Sequence, residues 1–359
     1  MNFSIKISKV LFANLFSVSF LHLVNILAPL ITYPYLIGIY GMELYGYIVT
    51  AQLIVSYFSL IISYGSDNVC AKHIAIYHND KEKLSEIVSS IFFTRVILWI
   101  ICLVIYYFII DIVPQYKQYK ALFLLFYGIT FHELLFQQYF FLGMEKMVLS
   151  TIVNILPKLL FISLVFICVK SKEDIILIPI FYSLGYFVGG VLSFLIVTLA
   201  FKITIKLQPT YSLLYYVKES IAVFASDIIT TIKDKFNVLL LGMCVGMTEV
   251  VVYDLGTKFN LLINKPAEIL RVVFFPRFAK YKNVTNLKKL AFYSFVLSLF
   301  LVLLLNVYLE DITIFFVKTE INLYPLRLFS ICPLFLSISV IIAFDGFIAF
   351  GYTKYILYK

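Results

Sequence analysis

Charged side chains inside long apolar runs are the residues of this chain whose types and spacing could do chemistry. The run 217–241 carries Asp227, Lys233, Asp234 and Lys235, and the run 250–275 carries Asp254, Lys258, Lys265, Glu268 and Arg271. On a helix, Asp227 and Asp234 are seven apart and share a face, with Thr231 between them. Asp254, Lys258, Lys265 and Glu268 fall at i, i+4, i+11 and i+14, which at 100° per residue places them within about an 80° arc. An ionised group at the centre of an apolar layer costs at least ~2.5 kcal/mol unless it faces protein or water. The stripe therefore lines a water-filled cavity or a bundle interior. It can also be read as internal pairs, Asp254–Lys258 and Lys265–Glu268, that offset one another's burial, with Lys265 and Arg271 snorkelling toward the headgroups.

Arg95 and Lys158 each stand in an apolar run without a sequence-adjacent acid, and either snorkel or face a cavity. His132-Glu133 is a buried polar pair or a cavity feature. Asn14, Asn25 and Pro29 interrupt the first apolar run, and Pro34 and Gly38 near its end could bend or unwind it. The candidate cavity set, Arg95, Lys158, Lys235, Lys258, Lys265 and Arg271, is cationic. Such a path suits an anionic passenger, for instance a phosphate-bearing lipid, whose charge it compensates. Asp227 and Asp234 are the candidates for a protonatable, ion-coupling site.

Catalytic patterns are missing. The histidines (His22, His73, His78, His132) form no H-x-x-x-H, and neither Gly-x-Ser-x-Gly nor a phosphate loop occurs. Five scattered cysteines without a C-x-x-C pair suggest neither a disulfide framework nor a zinc site. The chain is expected to be no enzyme, with no metal and no cofactor.

The elements that must position these residues follow from composition. Of 359 residues 62% are hydrophobic and only 14% charged, with mean hydropathy +0.98, which excludes an ordinary water-soluble domain at about 25% charged. The expectation is an all-α polytopic membrane protein. Ten spans are expected, at 11–38, 46–64, 87–110, 121–142, 148–169, 175–200, 217–241, 250–275, 290–309 and 326–350. The net charge of +9 does not point to nucleic acid, because basic residues collect in cytoplasmic loops. With the N-terminus inside, sixteen lysines and arginines fall in cytoplasmic segments against five outside (Lys117, Lys120, Lys170, Lys172, Lys318), so both termini are expected in the cytoplasm.

The chain also repeats itself. Gly41-Met42-Glu43-Leu44-Tyr45 after the first span returns as Gly246-Met247-Thr248-Glu249 through Tyr253 after the seventh, and Ala71-Lys72 returns as Ala279-Lys280, at offsets near 207 residues. A parallel duplication of this kind predicts two pseudo-symmetric bundles, 1–205 with six spans and 206–359 with four. A complete second copy would run roughly fifty to sixty residues further and add two helices.

These motifs carry a resemblance. The run Tyr35-Leu-Ile-Gly38-Ile-Tyr-Gly41-Met-Glu43-Leu-Tyr45-Gly46 resembles Y-L-x-x-x-L-G-x-E-x-Y-G of polysaccharide flippases of the Wzx or O-antigen type, within the multidrug/oligosaccharidyl-lipid/polysaccharide exporter superfamily, with Tyr40 at the usual leucine. Tyr64-Gly65-Ser66-Asp67-Asn68, Gln138 through Met147, Leu239 through Gly242 with Thr248-Glu249, and Phe275-Pro276-Arg277 agree in the same order. The resemblance implies two six-helix bundles around a central cavity in the bacterial inner membrane. It implies an undecaprenyl-pyrophosphate-linked oligosaccharide as passenger, moved from the cytoplasmic to the periplasmic leaflet by alternating access under a proton or sodium gradient. A polysaccharide polymerase and a chain-length regulator would be partners. The departure is the final helix pair, since the family usually has twelve spans. A multidrug or cation antiporter of the same fold would call for an acidic cavity. An O-antigen polymerase or ligase would need a large periplasmic loop, and no outer loop here exceeds roughly fifteen residues.

Overall fold

The computed structural model of the chain describes residues 9–281 and 284–341; the side chains of 271–281, of His22 and of nearly all residues before Phe20 lie outside the description. Helix is the only regular element among the described residues. The first element, α1 (Lys9–Ser63), contains both of the first two expected spans. It runs through Pro34 and Gly38 and breaks instead at Gly41, φ 76°, a conformation that costs a glycine little and a Cβ-bearing residue more. Then come α2 (Ser66–Ile76) and α3 (Lys81–Ile112), the latter capped by Asp80, whose carboxylate accepts from the N–H groups of Glu82 and Lys83 at 3.0 Å.

The fourth expected span is not one helix. It is divided into α5 (Lys120–Phe126), a 3₁₀ turn at Tyr127–Thr130, α6 (Phe131–Leu135) and α7 (Gln138–Gly143), with the short α4 (Pro114–Lys117) before them. The chain continues through α8 (Met147–Cys168) and α9 (Leu177–Leu195), which ends in a π turn at Ile196–Ala200. In the turn between α8 and α9, the backbone N–H groups of Lys170 and Ser171 hold the Asp174 carboxyl below the usual carboxylate range. Next are α10 (Thr210–Cys244), α11 (Met247–Tyr281), α12 (Val284–Val307), α13 (Leu309–Val317), α14 (Tyr324–Phe329) and α15 (Cys332–Ser339). Beyond residue 341 the expected tenth span lies outside the described residues. Gly246, φ 154°, joins α10 to α11, so both copies of the glycine-led motif place a positive-φ glycine between two helices.

Five helices among the described residues are long and apolar enough to cross a membrane. Their burial pattern inverts that of a soluble helix. On α3, Arg95, Cys102, Tyr106 and Ile110 are buried while Ile97, Ile101, Val104, Ile105 and Phe108 are exposed. Large apolar side chains turned outward along a whole helix belong in hydrocarbon, and the chain is an all-α polytopic membrane protein.

Packing divides it into two units. The first holds Met1–Thr32 and Glu43–Val245, the second Tyr33–Met42 and Gly246–Lys359, so α1 serves both. The core of the first unit is aliphatic and aromatic, with Ile74 of α2, Ile87 and Ile91 of α3 and Tyr139, Phe140 and Phe141 of α7. Helices α8 and α9 approach closely because Gly185 and Gly189 face Pro157; a Cβ on Gly185 would lie 2.7 Å from the Pro157 carbonyl oxygen. In the second unit α11 packs on α12, α14 and α15.

Candidate functional site

In the first unit, the break between α6 and α7 falls at Phe136 and Gln137, both buried. In an unbroken helix the Gln137 N–H would donate to Glu133 and the Phe140 N–H to Phe136. Here Gln137 N–H donates to Ser193 Oγ of α9 at 2.9 Å, and Phe140 N–H donates to Gln137 at 3.0 Å. The carbonyls of Glu133 and Phe136 are thereby orphaned in an apolar layer, where an unsatisfied backbone group is costly. Arg95 takes both: its Nη1 donates to Glu133 O at 2.8 Å and to Phe136 O at 3.1 Å. Its Nη2 donates to Ser66 Oγ and Asp67 Oδ1, each at 2.8 Å, and the guanidinium lies over the Tyr139 ring. With 1% exposure, Arg95 is an anchor that ties the start of α2 to the broken helix. The sequence offered no acid near it because Asp67 is 28 residues away. Gly65 makes the turn into α2 at φ 69°, and a Cβ there would lie 2.7 Å from the Phe224 nitrogen of α10. His73 of α2 also pairs with Glu219 of α10.

Beside the broken helix lies a cavity of about 530 Å³. Asn25, Gln52 and Ser56 of α1, His132 and Glu133 of α6, Gln138 of α7, Asn154 and Lys158 of α8, and Tyr182 and Tyr186 of α9 line it. Lys158 Nζ donates to the Asn154 carbonyl of its own helix at 2.7 Å and sits 5.9 Å from the Tyr186 ring centroid. It forms no ion pair among the described residues. Lys235 reaches the same wall from α10, donating to Ser56 Oγ at 2.8 Å. His132 stacks on Phe136, and its Nδ1 stands 3.8 Å from the Glu133 carboxylate. Of the predicted cations, Lys158 lines this cavity; Lys235 bonds Ser56 of its lining, and Arg95 bonds the backbone carbonyl of Glu133, which also lines it.

In the second unit, the α11 stripe forms the local pairs that its spacing allows. Lys258 pairs with Asp254 and lies 5.0 Å from the centroid of Tyr33, a fully buried ring whose hydroxyl donates to Val251 O at 3.0 Å. Lys265 pairs with Glu268 at 2.6 Å, and Glu268 also lines a smaller cavity of about 380 Å³ with Asn264 and Ser337. The helix runs unbroken through Pro266. The side chain of Arg271 lies outside the described residues. On α10, Asp234 stands 3.6 Å from Lys233, both well exposed, and Asp227 forms no hydrogen bond or ion pair among the described residues.

Sequence reasoning passed over Gln52, Gln138, Asn154, Tyr182 and Tyr186 of the cavity, and Ser193 beside the break. Their signal was a polar amide or hydroxyl within an apolar span, which Gln52 and Asn154 do show.

A family model described as polysaccharide biosynthesis protein matches residues 11–282. The chain is 26% identical over 278 residues to a protein of Escherichia coli (strain K12) provisionally named O-antigen transporter, covering 74% of this chain and 65% of that one. A protein of Shigella dysenteriae with the same provisional name is 26% identical over 287 residues, covering 80% of this chain and 72% of that one. The chain therefore spans about two thirds of the length of the Escherichia coli relative. No solved structure matches it.

Proposed function

The chain belongs to the polysaccharide biosynthesis protein family, and from that premise we propose that it is a flippase for lipid-linked saccharide. The passenger is an undecaprenyl-pyrophosphate-linked oligosaccharide repeat. It moves from the cytoplasmic to the periplasmic leaflet of the bacterial inner membrane by alternating access, with both termini in the cytoplasm. The two halves of the repeat, 1–205 and 206–359, are the bodies that rock; this is a division by duplication, distinct from the two packing units. Asp227 and Asp234 carry ion coupling. A polysaccharide polymerase and a chain-length regulator receive the product. The mechanism is binding and movement, without an enzymatic step.

One observation supports this reading above the rest. Among the cations expected at membrane depth whose side chains are described, Arg95, Lys258 and Lys265 are held by carboxylates, and Lys158 and Lys235 are not. Lys158 lines the cavity and Lys235 bonds Ser56 of its lining, and an anion there would supply the missing charge. The pyrophosphate is that anion. The names of the relatives, which speak of O-antigen transport, agree with it.

The test is made in cells lacking the gene. Single-repeat lipid-linked saccharide held in the cytoplasmic leaflet, with surface chains lost, is the expected phenotype. Surface molecules capped by one repeat would instead show a polymerase, and no change in either pool would favour a drug exporter. On complementation, Lys158→Gln and Lys235→Gln should each reduce surface polysaccharide by on the order of 10-fold or more, the worth of one charge-assisted hydrogen bond. Lys265→Gln should change it far less, because Glu268 is 46% exposed and tolerates losing its partner. Equal effects of all three would remove the charge argument.

A further inference from the structure

By duplication α10 opens the second half of the repeat, yet it packs on α2 and α3 of the first, all three within the first packing unit. If the halves rock, the face between α2 and α10 must part and close in every cycle, and its make-up decides what holds it. Where the face is buried the fit is steric. Beside the close approach of Gly65 to Phe224, Ser220 is fully buried, and Tyr216 joins Cys70, Ala71 and Ile74 in one core. Where the face reaches the surface the contact is polar. His73 Nε2 bonds one carboxylate oxygen of Glu219, and Tyr215 Oη donates to the other at 3.1 Å. The rings of Tyr215 and Tyr216 stand edge-on to the imidazole, with centroids 6.0 and 5.5 Å away.

A carboxylate only accepts, so Nε2 carries a hydrogen in either state of the ring, and a second proton on Nδ1 turns the hydrogen bond into an ion pair. Imidazole is the side chain whose charge ordinarily changes between about pH 5 and 8. The other ionisable groups nearby leave the pair intact. On α2, Lys72 is exposed and bears on Glu219, and Cys70 is buried. On α3, Glu86 is paired with Lys83 at 2.7 Å, and Tyr77 and Tyr211 stand near that lysine. The α7 helix meets α2 at Ala71 and Ile74 through Gly143, and its one ionisable side chain, Tyr139, lies beneath Arg95. Beyond the end of α2, His78 bonds the Ala75 carbonyl and supplies a second imidazole.

We propose that His73 and Glu219 form a pH-sensitive latch: protonation of His73 holds α10 against α2, and deprotonation eases their separation. Acid on this side, which the lysine count makes the cytoplasm, would slow the cycle. The latch deepens the flippase reading and rests on it for the motion that is restrained.

The test uses the full chain in proteoliposomes at equal pH on both sides. Nitroxide labels are placed at Ile76→Cys on α2 and Ile221→Cys on α10, both 58% exposed, in a background of Cys168→Ser, Cys244→Ser and Cys332→Ser. Double electron–electron resonance should give two label distances. The ratio of closed to open populations should rise roughly fivefold from about pH 8 to about pH 5, the upper end for a partly exposed ion pair. His73→Gln keeps a donor that does not titrate, and Glu219→Gln removes the charge; each should abolish the dependence, while His78→Gln should leave it. The emission of Trp99, the single tryptophan, verifies that each variant is folded. A single label distance, a ratio independent of pH in the parent, or an unchanged dependence in His73→Gln or Glu219→Gln would each overturn the latch. A pH-dependent ratio in a chain whose deletion traps no lipid-linked saccharide would leave the latch standing and remove the flippase. Trapped saccharide with a ratio independent of pH would do the reverse.

Discussion

Replacing Arg95 tests how the broken helix is held. Arg95→Met keeps length and apolar bulk but removes four donated hydrogen bonds, two to the backbone carbonyls of Glu133 and Phe136 and two to Ser66 and Asp67. Breaking a buried ion pair from one side costs about 3–5 kcal/mol. The low end applies, because the Asp67 side chain is 29% exposed and recovers some water. The two orphaned carbonyls add roughly 1 kcal/mol each, for about 5 kcal/mol in all. Arg95→Lys keeps a charge for Asp67 but loses the planar fork that spans two carbonyls, and should cost about 2 kcal/mol. The assay is equilibrium unfolding in mixed micelles, read from Trp99, whose Nε1 donates to Thr130 Oγ1 at 2.8 Å in the turn just before α6. A double-mutant cycle with Asp67→Leu isolates the pair: the double variant should be about 2 kcal/mol more stable than the sum of the single effects predicts. Additivity within about 0.5 kcal/mol, or an Arg95→Met variant as stable as the parent, would refute the anchor.

Two further outcomes follow from the same geometry, and a third from the proposed coupling role of the α10 carboxylates. Ser193→Ala leaves the buried Gln137 N–H without its acceptor and should cost about 1–3 kcal/mol in the same unfolding assay; no change would mean that the break is satisfied some other way. Gly185→Ala puts a methyl group 2.7 Å from the Pro157 carbonyl oxygen, so α8 and α9 must part, at about 1–3 kcal/mol and with reduced yield of folded protein. Asp227→Asn and Asp234→Asn should abolish the dependence of transport on a pH or sodium gradient in proteoliposomes while the protein inserts normally. Transport equally gradient-dependent in both variants would show that coupling lies elsewhere.

What could be read from the sequence was what depends on neighbours along one helix. Apolar runs gave the class, because hydrocarbon requires each crossing segment to satisfy its own backbone. The ion pairs of α11 were available from spacing alone: residues three and four apart meet on any helix, so Asp254–Lys258 and Lys265–Glu268 needed no tertiary knowledge. The glycine-led motifs likewise announced turns, and Gly41 and Gly246 make them.

The fourth span shows where this stops. Hydropathy reports that 121–142 is apolar enough to cross, and says nothing of whether the helix is continuous. The break at Phe136 and Gln137 has no proline or glycine to signal it, because it is made by partners from elsewhere: Arg95 on α3 and Ser193 on α9 take the backbone groups that the helix would have kept. Nor could spacing separate Arg95 from Lys158, two lone cations in apolar runs. Only the folded chain brings Asp67 to the first and a polar cavity to the second, since the partners that decide whether a buried charge is anchored or available lie on other helices.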